Sequence, residues 1–149
     1  MKTLVCGIGC FWIENKFKNL DGVISTEVGY CGGKTSETNY EKVCSGVCDS
    51  AEVVKINFDE KKLSYEDLLR FVFSIHDPTT LNRQGVDIGR QYRSEIFYSD
   101  DKQRKSAEKI RDEINKKLNG KVVTKISKVS NYKKAEKIHQ KYYDKKAYI

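Results

Sequence analysis

Apolar and polar positions follow two different rhythms along this chain, and the switches between them mark its elements. Thr3, Leu4, Val5 and Cys6 make a short run that reads as a buried strand over 3–6, ended by the Gly7-Ile8-Gly9 turn. Ile13, Phe17 and Leu20 then fall on one helical face, and Asp21-Gly22 stops that helix. Alternation returns over 23–30, a strand followed by a glycine-rich, polar stretch that runs to Cys48. The clearest strand covers 51–58, where Val54, Ile56 and Phe58 share one face and Val53, Lys55 and Asn57 the other. Ser64 reads as an N-cap with Asp67 three positions on, ahead of a helical stripe of Tyr65, Leu68, Leu69, Val72 and Ile75 with His76. The pattern ends with a strand over 94–98, a helix over 101–118, a strand over 122–129 and a short helix over 135–143. The 101–118 helix is charged, with a narrow stripe at Ala107, Ile110, Ile114 and Leu118.

Interleaved helices and strands without a linker or repeat predict one domain over 1–149. The fold class expected is α+β, a two-layer sandwich with helices on one face of a mixed sheet. One stretch breaks the rhythm. Residues 77–93 have no period, contain the sole proline, Pro78, and carry Gly85 and Gly89. A loop of that length in a small domain is commonly functional, and Asn82, Arg83, Gln84, Asp87, Gln91 and Tyr92 would give it a polar lining.

Composition narrows the classes. With 38% hydrophobic and 11% aromatic residues the chain is too apolar for a disordered segment. Its net charge of +7 is unevenly placed, because the last 49 residues hold 16 of the 28 basic side chains and only 6 of the 21 acidic ones. Such a basic third suits nucleic acid, but lysines at near-regular intervals with only two arginines read better as a solvated face. The apolar run over 3–13 superficially resembles a signal peptide, yet it contains two glycines and two cysteines and lacks a small-residue cleavage site. No stretch approaches the ~20 apolar residues of a membrane span. Five cysteines is an odd number and argues against a disulfide scaffold. The expectation is a soluble, cytoplasmic protein with reactive or buried thiols.

Two residues stand out chemically. Cys10 follows a buried strand and a Gly-x-Gly turn at the start of a helix, where unpaired N–H groups favour a thiolate. Phe11 and Trp12 lie off the core stripe of that helix, so they either pack under a loop or wall an apolar pocket beside the sulfur. Glu52 has the strand parity of Val54, Ile56 and Phe58. A carboxyl buried there without a cation stays protonated near neutrality and suits a general acid, whereas at a strand end it can also reach solvent or pair with an arginine. A rival reading takes Cys6-x3-Cys10 and Cys44-x3-Cys48 as zinc ligands, although Cys6 sits inside an apolar run as a buried thiol would. His76 and His139 are placed on helices and form no evident triad with Cys10. A thiol peroxidase and a basic nucleic-acid-binding domain with structural zinc are the competing functions.

The residues also resemble a known family. Gly9-Cys10-Phe11-Trp12, Gly29-Tyr30-Cys31-Gly32-Gly33, Asn39-Tyr40-Glu41-Lys42-Val43-Cys44-Ser45-Gly46 and Ala51-Glu52-Val53-Val54 are similar to blocks of the A-type peptide methionine sulfoxide reductases. So are His76-Asp77-Pro78-Thr79, Asn82-Arg83-Gln84-Gly85-Val86-Asp87 and Gln91-Tyr92-Arg93-Ser94. The resemblance is dense over about residues 5–98 and thinner near His139. It implies a ferredoxin-like core and reduction of methionine-(S)-sulfoxide, free or in peptides and proteins. Cys10 would attack the sulfoxide sulfur and become a sulfenic acid, and Glu52 would protonate the oxygen. Tyr40, Asp87 and Tyr92 would hold that oxygen or a water, and Phe11 and Trp12 would receive the methyl group. No bound cofactor or metal is implied. The sulfenic acid would be reduced by an internal thiol, with Cys48 the first choice and Cys31, Cys44 and Cys6 behind it, or by an external one. Thioredoxin, glutaredoxin or dithiothreitol would serve as reductant, and the partners would be sulfoxide-containing proteins met by a monomer, with no nucleic acid or membrane. The sequence departs from the family pattern in Ile13, where many members have glycine, and in Asp49-Ser50, where Gly-His is usual. It also reaches Ile149 without the cysteine-bearing tail that often supplies resolving thiols.

Overall fold

Strands β1 (Lys2–Gly7), β2 (Val23–Cys31) and β3 (Ala51–Phe58) are the long, buried runs that the period of two picks out. The computed structural model describes residues 2–8, 11–33, 50–85 and 87–135. Among these, β6 (Glu95–Tyr98), β7 (Lys125–Lys128) and β8 (Lys133–Lys134) join the first three in one sheet of order β7-β6-β1-β3-β2-β8. β1 pairs antiparallel with β3 and β6, and β2 pairs antiparallel with β3. The central order β6-β1-β3-β2, all antiparallel, is the ferredoxin-like arrangement the family resemblance implies. β7 runs parallel to β6, joined through the long helix between them, so the sheet is mixed.

Two α-helices, α1 (Tyr65–Ser74) and α2 (Asp101–Lys117), stand between β3 and β6 and between β6 and β7. The Ser64 hydroxyl accepts the Asp67 N–H at 3.0 Å, so the expected N-cap of α1 is present. Asp100 does the same for α2, accepting from the Gln103 N–H at 2.8 Å. Leu68, Leu69, Val72 and Phe73 of α1 and Ala107 and Ile110 of α2 are buried against Leu4, Cys6, Val54, Ile56, Phe58 and Ile96 of the sheet. The two helices are tied by a two-point Arg70–Glu113 contact at 2.9 and 3.1 Å. The opposite face of the sheet carries a smaller cluster of Val5, Cys31, Ala51, Val53 and Phe97, covered by Val129 and Tyr132.

Several expectations need correction. The first helix is a 3-10 helix over Phe11–Phe17, the tighter form usual in short connectors, although Ile13 and Phe17 are buried and Leu20 packs on them as the stripe requires. His76 is not on a helix; α1 ends at Ser74 with Ile75 as its C-cap. The last strand is only Lys125–Lys128, since Val122 to Thr124 run into it without a partner strand. β8 was not expected at all, because two lysines carry no period. Its fit depends on Gly29, where a Cβ would stand 2.5 Å from the Lys133 carbonyl oxygen. Of the expected helix over 135–143, Ala135 is a buried coil residue and the rest lies outside the described residues. The stretch 77–93 contains a small hairpin, β4 (Arg83–Gln84) with β5 (Asp87–Ile88), and a 3-10 turn over Arg90–Tyr92.

Candidate active site

The three buried carboxylates among the described residues have very different surroundings. Glu14 accepts the Thr26 hydroxyl at 2.6 Å. Glu95, on the face away from the helices, accepts from Arg93 Nε at 2.7 Å and from the Ser127 hydroxyl at 2.5 Å. Glu52 is 1% exposed, and neither of its oxygens has a hydrogen-bond partner among the described residues. Folded proteins rarely leave a buried polar atom unpaired, so such a group marks a place kept for something else. Ser50 repeats the signal, with a buried and equally unpartnered hydroxyl, at a position where the sequence departs from its family pattern.

Strand register explains how Glu52 comes to be there. It sits opposite Tyr30 near the start of β3, and its face is the one that carries Val54, Ile56 and Phe58 into the helix-covered core. Among the described residues no cation pairs with its charge. Burial, and secondarily the negative charge of Asp87, pushes its carboxyl up to about 8. The alternatives of a solvent-exposed or arginine-paired Glu52 are thereby excluded; the nearby arginine, Arg93, is engaged with Glu95 on the other face.

Asp87 opens β5 and Tyr92 closes the following 3-10 turn, both half-buried, and the charge of Asp87 acts on Glu52. Cys10, Tyr40, Cys44, Cys48 and His139 lie outside the described residues. Phe11 and Trp12 begin the 3-10 helix, and their side chains lie outside the described set as well.

Comparison with known proteins closes the question of kinship. The family model described as peptide methionine sulfoxide reductase matches residues 2–148. The chain belongs to the peptide methionine sulfoxide reductase family. A curated relative from Pelagibacter ubique, peptide methionine sulfoxide reductase MsrA, is 54% identical over 147 residues, which span 98% of this chain and all of the relative. The crystal structure of Mxr1 from Saccharomyces cerevisiae in reduced form superposes with a TM-score of 0.93 at 37% identity, covering 98% of this chain and 86% of that one. A structure of Mxr1 in complex with Trx2 matches with a TM-score of 0.67 at 28% identity, covering 95% and 84%. The activity of this reductase is the reduction of methionine sulfoxide.

For a reductase that works through thiols, the two described cysteines are informative. Cys6 is fully buried in β1 on the helix-covered face, its S–H directed at the Val54 carbonyl 3.8 Å away, and burial drives its thiol far above the ordinary range. Cys31 is buried on the opposite face, next to Val53 and Phe97, and donates to the Ser130 carbonyl at 3.3 Å. Its thiol is also pushed up, chiefly by burial. Cys31 lies on the face away from Glu52, and Cys6, although on Glu52's face, is fully enclosed within a central strand. Among the described residues, no helix is long and apolar enough to cross a membrane.

Proposed function

We propose that this reductase acts on the S epimer of methionine sulfoxide, with Cys10 as nucleophile and Glu52 as the acid. The Cys10 thiolate attacks the sulfoxide sulfur while Glu52 delivers its proton to the oxygen. The oxygen passes to the Cys10 sulfur, methionine leaves reduced by two electrons, and Cys10 remains as a sulfenic acid oxidised by two. Tyr40, Asp87 and Tyr92 surround the oxygen, and Phe11 and Trp12 take the methyl group. The observation that carries this reading is Glu52 itself, a carboxyl buried, unpartnered and still protonated near neutrality.

Regeneration follows the same logic. With Cys6 enclosed in its strand and Cys31 on the other face, Cys44 and Cys48 remain, and Cys48, four residues before Glu52, is the resolving thiol, condensing with the sulfenic acid to a disulfide and water. A thioredoxin-like dithiol then reduces that disulfide, a partner class suggested by the Trx2 complex of the yeast relative. The chain does this as a cytoplasmic monomer on sulfoxide-containing proteins and peptides.

Separate S and R epimers of a sulfoxide peptide, each incubated with dithiothreitol, test the reaction. Turnover of the S epimer alone is expected, and it should vanish in Cys10→Ser. Equal turnover of both epimers refutes the stereochemistry, and an active Cys10→Ser refutes the nucleophile. Mass spectrometry after one turnover without reductant should find a Cys10–Cys48 disulfide; a sulfenic acid that persists would assign resolution to an external thiol.

A further inference from the structure

A chain of three polar side chains, His76 half-buried and Ser94 and Thr124 buried, lies at the base of the 77–93 loop, and the proposed chemistry does not use it. His76 Nδ1 is 2.7 Å from the Val72 carbonyl, which can only accept, so that nitrogen carries the proton. Its Nε2, 2.8 Å from the Ser94 hydroxyl, is then the acceptor in the neutral ring. The Ser94 oxygen is in turn 2.7 Å from the Thr124 hydroxyl. Burial lowers the His76 pKa and keeps the ring neutral, with this direction of donation. Ser94 and Thr124 are both buried.

The geometry around this chain is that of a clasp. His76 stands at the loop's entry and Ser94 at its exit, and one short segment grips both. The Val123 N–H donates to the Pro78 carbonyl at 2.8 Å, and the Lys125 N–H donates to the Ser94 carbonyl at 3.1 Å. The loop itself is folded as a unit above this neck. Asp77 N–H and Gln84 Oε1 meet at 2.9 Å, Gln84 Nε2 returns to the Asp77 carbonyl at 2.6 Å, and the Gly89 N–H reaches the Asn82 carbonyl at 2.9 Å. A body held together internally moves as one piece, so the neck decides where its side chains sit relative to the sheet. Those side chains include Asp87 and Tyr92.

We propose that His76, Ser94 and Thr124 are positioning residues for sulfoxide reduction, a closed hydrogen-bonded neck that holds the Asp87–Tyr92 face of the loop at Glu52. Apolar groups would seal the same space with less demand on geometry, whereas three linked polar groups admit one register of loop against sheet. The proposal rests on the reading of Glu52 as proton donor, and the two are separable by experiment.

The test is the single-turnover rate of methionine-(S)-sulfoxide reduction followed across pH. In the parent the rate needs protonated Glu52, so its high-pH limb falls above about pH 8. Ser94→Ala should fold, lower the neutral-pH rate about 10- to 100-fold as misplaced groups do, and move the falling limb to lower pH because Asp87 no longer presses on Glu52. Ser94→Thr, which keeps the hydroxyl, should restore both. Asp87→Asn should shift the limb in the parent and add nothing to Ser94→Ala. Parent rate and limb in Ser94→Ala, or a loss of melting temperature alone, overturns the proposal. Should Ser94→Ala fail to fold, Thr124→Val must show the same downward shift, and an unmoved limb in it is equally fatal. A limb that survives in Glu52→Gln would instead sink the donor reading.

Discussion

At the scale of single residues the proposed proton transfer turns on one carboxyl whose surroundings favour its neutral form. Glu52→Gln keeps shape and neutrality but has no proton to give, so the single-turnover rate should fall by about 10²- to 10⁴-fold and lose its high-pH limb. The same substitution has a stability signature with a definite sign. From the ordinary glutamate value of 4.5 up to about 8, the folded protein holds a proton that the unfolded chain has released. Glu52 therefore contributes its full stability below that window, and the contribution is lost as pH rises through it. Denaturant unfolding at pH 5 and pH 8 should show Glu52→Gln gaining on the parent at the higher pH, by at most about 1.4 kcal/mol per unit. A constant difference between the two proteins would mean that Glu52 titrates normally. Glu95, by contrast, is paired with Arg93, which has only 12% of its side chain exposed. Glu95→Ala would leave that guanidinium buried without its counter-charge, a loss of roughly 3–5 kcal/mol readable in the same unfolding experiment.

At the scale of elements, local chemistry and packing divide the work unevenly. The α1 cap is local: Ser64→Ala removes the acceptor for the Asp67 N–H and should cost about 1 kcal/mol without touching activity. The 51–58 strand was legible to the residue, since its alternation places Glu52, Val54, Ile56 and Phe58 on one buried face. The Phe11–Phe17 segment was legible as helical but not as 3-10, because the stripe Ile13 and Phe17 satisfies either geometry. β4, β5 and β8 are two residues each, too short to show any period. β8 is fixed by distant partners instead. The Tyr132 hydroxyl donates to Glu27, Lys134 Nζ lies 3.6 Å from the same carboxylate, and Lys55 Nζ sits 5.2 Å above the Tyr132 ring. Gly29→Ala should displace β8 from the sheet edge, seen as faster amide exchange at Lys133 and Lys134 with α1 and α2 unchanged.

At the scale of the whole molecule, a six-stranded sheet separates two unlike faces. One buries the helices and carries Glu52; the other holds Cys31, Phe97 and the Arg93–Glu95 pair under the 129–132 segment. Ile110, fully buried on α2, anchors the helical layer, and Ile110→Ala should cost 2–5 kcal/mol by the transfer and cavity terms together. Unfolding with an unchanged denaturant dependence would confirm a local packing loss. The lysines of α2 play no such part, standing exposed or paired across to α1, as Lys109 is with Glu66 at 3.1 Å.

The sequence by itself determined the fold class, the long strands, the Ser64 cap and the inward direction of Glu52. Each of these is written in nearest-neighbour spacing, and side-chain parity along a strand needs no knowledge of the partner strand. Family resemblance pointed to the activity, and the comparisons established it. Only the tertiary structure decided that no described cation pairs with Glu52, that Cys6 and Cys31 lie in closed strands, and that His76, Ser94 and Thr124 meet at the loop neck. Those facts join residues far apart in the chain: His76 to Ser94 and Ser94 to Thr124, Cys31 to Ser130, Asp87 to Glu52. Desolvation and hydrogen bonding depend on what arrives from elsewhere, and spacing along the chain carries no record of it.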